Sequence, residues 1–458
     1  MGINNLIPLI KKVTERTSGK EKKNAIRSYQ LSKFDNSNWS VAVDASLMIY
    51  KTVIAMRSTG KDLKNCQGEI TSHLNGILYK IIVFLEHSII PIFVFDGKAP
   101  DIKNVTLASR EAVKKSAEKK LENLSDSEDE EYIKNFKRVF RPTKENIEEL
   151  KIMLDLIGIP YITAPGEADV LCSWLTMRKN EKGRRYCKGV CSDDSDMLAF
   201  GSPYLFRNMS DFLSKGKSIE IVGLSKVLKE MDFTYEQFID LCILLGTDGC
   251  TNIQGVGPVT SYKLIRDHGS LEKALEVIDK KHEAKVKRLK RTKKYIKPSD
   301  EEIKANKNNR KCMFSMREYF LTAVDKLDEL DDFVITDDQL YLRKFQKEEL
   351  MDFLCMKHGF DVERMDNALE RLEKTYIKLN VSRPNTKTYH KISKPLQDNH
   401  IMNTLLGNFE FRSDSEDDTN DTNDSEDSDE PMQSKEVSTR KQIIEKTKTS
   451  SKKSKKRD

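Results

Sequence analysis

Seven acidic residues stand where an apolar run ends or where a new helix begins. They are Asp44, Asp96, Glu167, Asp169, Asp194, Asp196 and Asp248. Carboxylates that are gathered without His or Cys ligands are what hard divalent cations require. Any one of these residues could instead be a helix cap or a turn residue. Seven together favour a metal site, because Ser, Thr and Asn fill capping roles equally well.

Predicted β-strands would position four of the acids. Asp44 ends the run VAVDAS, Asp96 ends PIFVFDGKAP, and Asp194 and Asp196 follow the run that begins KGVC. In an open, mostly parallel α/β sheet, ligands bind outside the carboxyl ends of the strands. We therefore expect these acids to converge although they are distant in sequence.

The other three acids lie near predicted helices. Glu167 and Asp169 follow a Pro-Gly turn and open the apolar-periodic helix EADVLCSWL, and Asp248 closes FIDLCILLGTDG. Burying so many like charges together costs several kcal/mol for each uncompensated ion. If the acids cluster, divalent cations must therefore neutralise them.

The chain has 458 residues, of which 38% are apolar and 33% charged, which suffices for a large α/β core with polar segments. Its apolar stretches fall well short of the ~18 residues that a membrane span needs, and no signal peptide is apparent, so we expect no membrane association. The eight cysteines lie mostly inside apolar elements, which is typical of reduced core thiols.

The net charge of +6 hides a segregation of charge along the chain. Residues 414–430 hold ten acids and no bases, so the rest of the chain carries a net charge of +16. A basic body is typical of proteins that bind polyanions. The richest basic stretch, Lys281 to Lys311, has 13 Lys or Arg against four acids, although such a run could also be a solvated helix face.

The sequence pattern divides the chain into five regions. They are alternating strands and helices at 1–110, a charged helical insert at 103–144, a second alternating region at 145–275, a mainly helical part with the basic stretch at 276–380, and a polar tail at 381–458. The tail has too few apolar residues to form a core, so we expect disorder there. The predicted fold class is α/β, with a mostly parallel central sheet flanked by helices.

A Gly-rich turn follows Asp248. The segment NIQGVGPVTSYKLIRDHGSLEKAL places Gly255 and Gly257 where a helix opens. This is the form of a helix-hairpin-helix, in which glycines let backbone amides approach a phosphate at a helix N-terminus. The turn could be a simple cap, but its closeness to Asp248 in a basic chain favours phosphate contact.

These motifs, in this order, resemble those of the flap endonuclease branch of the XPG-type structure-specific nucleases. The segments that carry the resemblance are MGINNLIPLI, VAVDASLMIY, PIFVFDGKAP, APGEADVLC, SDDSDMLAFGSP and DLCILLGTDGCTNIQGVGP. The similarity is strong over about residues 1–275 and extends to about residue 375. Glu167 follows Asp96 by 71 residues, a spacing that resembles the short helical arch of flap endonucleases.

The resemblance implies a PIN-like nuclease core with a helical arch at 103–144 and a helix-hairpin-helix at about 246–275. It implies a Mg²⁺-dependent 5′ nuclease that cuts DNA flaps near single-strand to double-strand junctions in replication and repair. The implied cofactors are two Mg²⁺ ions per active site, for which Mn²⁺ can substitute, and K⁺ at the helix-hairpin-helix. One metal ion would be held mainly by Asp44, Asp96, Glu167 and Asp169, and the other by Asp194, Asp196 and Asp248.

The resemblance also assigns roles outside the carboxylates. Lys103 and Arg110 match catalytic arch residues that stabilise charge on the attacked phosphate, and Tyr50 matches an aromatic residue on which an unpaired base stacks. The alternative for Tyr50, without the resemblance, is plain core packing. The positions that match DNA-contacting residues are Gly2, Tyr50, Arg57, Lys80, Glu167, Gly246, Asp248, Gly255 and Gly257.

The helix-hairpin-helix departs from the family pattern. Val259 and Thr260 stand where relatives tend to carry Lys and Arg, and Gln254 replaces a usual Arg. We therefore expect fewer contacts to duplex phosphates from this motif. Our hypothesis is that the basic stretch Lys281 to Lys311 partly compensates.

The implied partners are 5′-flap and nicked or gapped duplex DNA, bound by a monomer. Residues 403–411 (NTLLGNFEF) only approximate a sliding-clamp motif, and such short apolar clusters are often incidental. The closing KKSKKRD resembles a nuclear localisation signal, which implies a nuclear protein, but it could equally be a DNA-binding tail. The alternative functions are a 5′–3′ exonuclease, a junction-resolving nuclease and a catalytically dead DNA-binding scaffold. The intact set of carboxylates argues against the last.

Overall fold

The computed structural model describes most of the first 379 residues. The described residues are 2–17, 25–29, 39–65, 68–98, 104–124, 129–209, 218–293, 295 and 297–379. Three features predicted from the sequence lie outside the described residues, namely Lys103, the segment 403–411 and the tail 381–458. Disorder was predicted for the tail. No helix within the described ranges is long and apolar enough to cross a membrane.

A seven-stranded mixed β-sheet forms the centre of the described chain. The strands are β1 (Ile26–Tyr29), β2 (Trp39–Asp44), β3 (Ile89–Phe95), β4 (Tyr161–Thr163), β5 (Gly189–Cys191), β6 (Tyr204–Arg207) and β7 (Ile219–Gly223). Their order across the sheet is β1-β7-β6-β5-β2-β3-β4. The strands from β6 to β4 pair in parallel, whereas β7 pairs antiparallel with both β6 and β1. The predicted α/β class with a mostly parallel sheet is confirmed.

Sixteen α-helices accompany the sheet in the described residues. The first eight are α1 (Leu6–Thr17), α2 (Ala45–Met56), α3 (Ser72–Glu86), α4 (Asn104–Leu121), α5 (Glu130–Val139), α6 (Lys144–Ile157), α7 (Ala168–Met177) and α8 (Asp196–Ala199). The others are α9 (Leu224–Met231), α10 (Tyr235–Leu245), α11 (Pro258–His268), α12 (Leu271–Arg291), α13 (Asp300–Thr322), α14 (Asp325–Asp328), α15 (Lys347–Met351) and α16 (Val362–Lys378).

Helices cover both faces of the sheet. On β2, Val41 and Val43 join one buried cluster and Ala42 joins the other, as the two-residue repeat of a strand requires. All of β3 is buried, which accounts for its continuous apolar sequence. Helices α2, α3, α6 and α16 contribute to the first cluster, and α1, α7, α10 and α13 to the second. Because β5, β2 and β3 are neighbours and parallel, their carboxyl ends share one edge of the sheet.

The charged insert between β3 and β4 is helical, as expected. Its helices α4 and α5 pack against each other. Ala117 and Asn135 are the buried residues among their described side chains, so these helices stand away from the main core. Helix α6 then begins at a capping box formed by Thr143 and Asn146, which returns the chain to the sheet. The boundaries of the five predicted regions stay predictions.

The helix-hairpin-helix is built from α10, α11 and the Gly-rich turn between them. The long helices α12 and α13 follow, and Arg310 of α13 forms an ion pair with Asp279 of α12. The buried residues of α12 end at Leu275, and those of α13 begin at Met313. The described residues of the basic stretch therefore lie mainly on solvent-exposed helix surface.

Candidate active site

An open cleft lies at the shared edge formed by the carboxyl ends of β5, β2 and β3. Its volume is about 510 Å³. Six of the seven predicted acids line it, namely Asp44, Asp96, Glu167, Asp169, Asp194 and Asp248. The structure thus brings together acids that are distant in sequence.

The first two acids also hold helices in place. Asp44 ends β2 and caps α2, because its Oδ1 accepts a hydrogen bond of 2.9 Å from the backbone N–H of Leu47. Asp96 follows β3, and its Oδ1 accepts a hydrogen bond of 3.0 Å from the backbone N–H of Ala168, the first residue of α7. These bonds fix both carboxylates at the cleft, so the capping alternative and a metal-ligand role are compatible.

The remaining acids come from three further segments. Glu167 and Asp169 lie at the N-terminus of α7, where the helix dipole favours negative charge. The Oδ1 of Asp194 accepts a hydrogen bond of 3.0 Å from the backbone N–H of Asp196. Asp196 itself is only 2% exposed and does not line the cleft, so it lies beneath the surface that Asp194 presents. Asp248 reaches the cleft from the loop after α10.

The surroundings of Asp44 disfavour its charged form. Burial at the floor of the cleft raises the pKa of Asp44 to about 7, with further contributions from the charges of Asp96 and Asp194. Hydrogen bonds from the backbone of Leu47 and Ser46 act in the opposite direction and do not offset this rise. A cation in the cleft would favour the charged carboxylate and reverse the shift.

The donor set fits a hard divalent cation, because the cleft offers carboxylate oxygens and, among the described residues, neither His nor Cys lines it. Over the part of the chain that the structure describes, no three His, Cys, Asp or Glu side chains are arranged as a ready-made metal site.

Two arginines also line the cleft. Arg110 of α4 donates a hydrogen bond to Oδ2 of Asp248, and its side chain remains 44% exposed. Arg141, just before α6, donates from Nη2 to the backbone carbonyl of Arg110 at 3.4 Å. Sequence reasoning predicted Arg110 but missed Arg141, because nothing in its spacing distinguishes it from the other bases of the insert.

Tyr319 of α13 is a second residue that sequence reasoning missed. Its hydroxyl donates a hydrogen bond of 2.6 Å to Oε2 of Glu167. Burial, and then the charge of Glu167, raise the pKa of Tyr319 above its ordinary value, so the phenol stays protonated and can donate. The two residues are 152 positions apart, and no motif links them.

Gly2 and Gly246 bring the N-terminal segment to the cleft. Both have positive φ angles, 86° and 93°. A Cβ atom on Gly2 would lie 2.1 Å from Oδ1 of Asp194, so only glycine fits there. The backbone N–H of Asn4 donates to the carbonyl of Gly246 at 3.2 Å. These two predicted DNA-contact glycines therefore shape the surroundings of the acids.

Gly255 and Gly257 lie in open space at the helix-hairpin-helix. A Cβ atom on either would meet nothing within 4 Å, and Gly255 has a φ of 84°. Gly257 is the N-cap of α11 and precedes Pro258 at the first helical position. The exposed backbone leaves room for a close approach of phosphate, and the phosphate contact itself stays a prediction.

The other predicted DNA-contact residues differ in exposure. Tyr50 lines the cleft, and its ring stacks on Phe140 with centroids 6.3 Å apart. Arg57 is buried and pairs with Asp62. Lys80 is also buried, and its Nζ donates to Oγ1 of Thr52 at 2.8 Å. Arg57 and Lys80, unlike Tyr50, do not line the cleft. The contacts with DNA that the sequence predicts for these three residues stay predictions.

Two family models match the chain. The XPG N-terminal domain matches residues 1–117, and the XPG I-region matches residues 158–248. These ranges contain all seven predicted acids.

Curated relatives and solved structures agree with the family models. Flap endonuclease 1 of Phytophthora infestans is 37% identical over 73% of this chain and 81% of its own length. Flap endonuclease 1-A of Xenopus laevis is 35% identical over 82% of this chain and 86% of its own length. Among structures, flap endonuclease-1 from Methanococcus jannaschii is 26% identical with a TM-score of 0.52, covering 77% of this chain and 96% of that one. The catalytic core of Rad2 in complex with DNA substrate shares the fold, at 23% identity and a TM-score of 0.52 over 81% of this chain and all of that one.

Identity above 30% extends over most of each relative's length, and the XPG models match both halves of the nuclease core. The chain therefore belongs to the flap endonuclease family, and it is a metal-dependent nuclease that hydrolyses phosphodiesters.

Proposed function

We propose that this nuclease cuts DNA at the base of 5′ flaps with two Mg²⁺ ions held by the cleft carboxylates, during replication and repair in the nucleus. The observation that carries this proposal is the cleft itself, in which six carboxylates lie with Arg110 and Arg141. A phosphodiester is an anion, so it can approach such a cleft only when cations offset the carboxylates.

The carboxylates divide between the two ions. The acids at the ends of β2 and β3 and at the start of α7 are proposed to hold mainly one ion, and these are Asp44, Asp96, Glu167 and Asp169. The acids that follow β5 and α10 are proposed to hold the other, and these are Asp194, Asp196 and Asp248. When bound, the ions would supply Lewis-acid stabilisation of the attacked phosphate and lower the pKa of water. Mn²⁺ can substitute because it prefers the same oxygen ligands.

Arg110 is proposed to exchange partners during the reaction. In the structure its guanidinium pairs with Asp248. Once that carboxylate is neutralised, the guanidinium can turn to the phosphate and stabilise the charge that grows there. Lys103 is proposed to act with it from the start of the arch, and Arg141 adds a further cation at the edge of the cleft.

The path proposed for DNA runs from the cleft to the helix-hairpin-helix. Tyr50, at the cleft wall, would stack on an unpaired base. The open backbone at Gly255 and Gly257 would meet a phosphate of the duplex, with K⁺ bound at the same turn. Rad2, which shares the fold, has been solved with DNA substrate. The protein is proposed to act as a monomer, with residues 403–411 as the candidate contact for a sliding clamp.

The basic stretch lies beside this path. Asn309 of α13 donates from Nδ2 to the carbonyl of Thr251 and accepts from its backbone N–H, each at 2.8 Å. These bonds tie α13 to the loop that leads into the Gly-rich turn. The exposed bases of α12 and α13 are therefore close enough to extend the phosphate-binding surface of the helix-hairpin-helix.

Cleavage of matched substrates tests the proposal. The full chain is incubated in Mg²⁺ with 5′-flap, nicked, gapped and four-way-junction DNA of the same sequence, with EDTA as the blank. We expect cleavage at the base of the flap to exceed the rate on the other substrates. Faster release of single nucleotides from nicks would indicate a 5′–3′ exonuclease, and preferred cutting of four-way junctions a resolving nuclease. DNA binding without cleavage of any substrate would overturn the proposed activity.

A further inference from the structure

Helix α13 packs on the second buried cluster and contacts the candidate active site near its C-terminal end. Its N-terminal half is exposed, and its last turns are buried against the core through Met316 and Phe320. On the last full turn, the hydroxyl of Tyr319 lies 2.6 Å from Oε2 of Glu167. A side chain of the C-terminal helical part thus contacts an acid that lines the cleft.

The register of α13 is fixed independently of this contact. The Nε of Arg317 lies 2.5 Å from Oδ1 of Asp240, whose side chain is 1% exposed. The Nη1 of Arg317 lies 3.1 Å from Glu272 on α12. Asp240 in turn accepts a hydrogen bond of 2.9 Å from the backbone N–H of Leu271 at the start of α12. Helices α10, α12 and α13 are locked together two residues before Tyr319.

The ring of Tyr319 is held as well. It packs edge-on against Phe200, with centroids 5.7 Å apart. Phe200 is held in turn by Phe320, with centroids 4.9 Å apart. With helix and ring both fixed, the hydroxyl is a stationary donor. It therefore determines where Oε2 of Glu167 can rest.

We propose that Tyr319 is a positioning residue for Glu167, which it orients for binding of the divalent cation in the cleft. This inference rests on the proposed role of Glu167 as a metal ligand. A group that hydrogen-bonds a ligating carboxylate fixes its orientation, and loss of such a partner typically costs about 10–100-fold in metal affinity or activity. Mg²⁺ tolerates distorted ligand geometry less well than Ca²⁺ does. Loss of the hydroxyl should therefore weaken the binding of Mg²⁺ more than the binding of Ca²⁺.

The test is Tyr319→Phe in the full-length protein, which removes the hydroxyl and keeps the ring. Binding of Mn²⁺ is measured directly by electron paramagnetic resonance, and Mg²⁺ and Ca²⁺ are measured by competition with it. We expect Mn²⁺ and Mg²⁺ to bind about 10-fold more weakly, with a smaller loss for Ca²⁺. The matched control is Tyr376→Phe, which removes a buried hydroxyl that donates to the carbonyl of Ile157, remote from the cleft. It should leave metal affinity unchanged.

A double-mutant cycle with Glu167→Gln separates a positioning effect from a loss of folding. If the hydroxyl acts through the carboxylate, Tyr319→Phe has little further effect on Mn²⁺ binding in the Glu167→Gln background. Equal Mn²⁺ affinity in wild type and Tyr319→Phe, or the same loss in Tyr319→Phe and Tyr376→Phe, would overturn the inference alone. Undiminished Mn²⁺ binding by Glu167→Gln would instead overturn the metal role of Glu167 on which the inference rests.

Discussion

Single side chains at the cleft serve both the fold and the site. Asp44 caps α2 through Leu47 and also lies among the other acids of the cleft. Asparagine is as good an N-cap as aspartate, so the two duties can be separated by one substitution. The fold needs only the hydrogen bond of Asp44, so its charge is free to serve the proposed metal site.

Asp44→Asn should stabilise the metal-free protein while abolishing cleavage. Folding raises the pKa of Asp44 from 3.8 to about 7, which means that the folded chain holds this proton more tightly than the unfolded chain does. The free energy of unfolding of the wild type therefore decreases as the pH rises through this window. At pH 8 without metal, the variant should have a free energy of unfolding about 1–3 kcal/mol higher than wild type, as measured with urea. The gain should vanish near pH 4. A surface control, Asp155→Asn, should not reproduce it, and lower stability of Asp44→Asn at pH 8 would contradict the prediction.

Gly2→Ala should impair the site through Asp194. The new Cβ would lie 2.1 Å from Oδ1 of that residue, which forces the carboxylate to move. We expect single-turnover cleavage to fall at least about 10-fold and half-saturation with Mg²⁺ to need more metal. Gly68→Ala is the matched control, because Gly68 has the same φ of 86° but nothing within 4 Å of a Cβ. Similar losses in both variants would assign the effect to backbone strain instead.

Among the elements, α12 offers the sharpest test of duplex binding. Lys281, Lys285 and Arg288 are exposed and lie on one face of the helix at intervals of four and three residues. Replacing all three with Ala keeps the helix, because alanine has the highest helix propensity. Each lost phosphate contact should lower the slope of log affinity against log salt by about 0.9. Duplex affinity should therefore fall, and the slope should flatten by about 2–3.

Fluorescence anisotropy at several salt concentrations measures both quantities. A control with the same change in charge carries Ala in place of Lys347, Lys374 and Lys378. The first of these lies on α15 and the other two lie on α16. If the control weakens duplex binding as much as the α12 variant, net charge and not the basic stretch accounts for the effect.

The strand-end acids were predictable from sequence because each is specified locally. The runs before Asp44 and Asp96 are continuous and apolar, since β2 and β3 lie between two layers of helices. The contact between Tyr319 and Glu167 could not be predicted in this way. It depends on how α13 packs against α10 and α12, and no periodicity in one segment encodes the position of another. Burial of Arg57 and Lys80 was unpredictable for the same reason, because Arg57 donates to the distant carbonyl of Phe136 and Lys80 to the hydroxyl of Thr52.

At the scale of the whole molecule, the cleft couples metal binding to folding. The acids come from strands and helices on both sides of the sheet, so they gather only in the folded chain. An ion that binds this arrangement and not the unfolded chain stabilises the fold.

Mg²⁺ should therefore raise the thermal unfolding midpoint, by the equivalent of about 2.7 kcal/mol at 100 times the dissociation constant. Asp194→Ala, which removes an acid that lines the cleft, should lose most of this increment and all cleavage, yet still bind flap DNA in Ca²⁺-free, Mg²⁺-free buffer. Differential scanning fluorimetry, a cleavage assay and anisotropy measure the three responses. Undiminished turnover by Asp194→Ala would refute the assignment of the metal site.

Helices α12 and α13 project beyond the core, because the buried residues of α12 end at Leu275 and those of α13 begin at Met313. The intervening segment can lengthen, shorten or change its charge during evolution with little penalty to folding. Changes of length or charge in this projection should therefore alter the affinity for DNA while leaving the buried core unchanged. The same property makes the projection a convenient place for engineering, since insertions there would leave the hydrolytic centre intact.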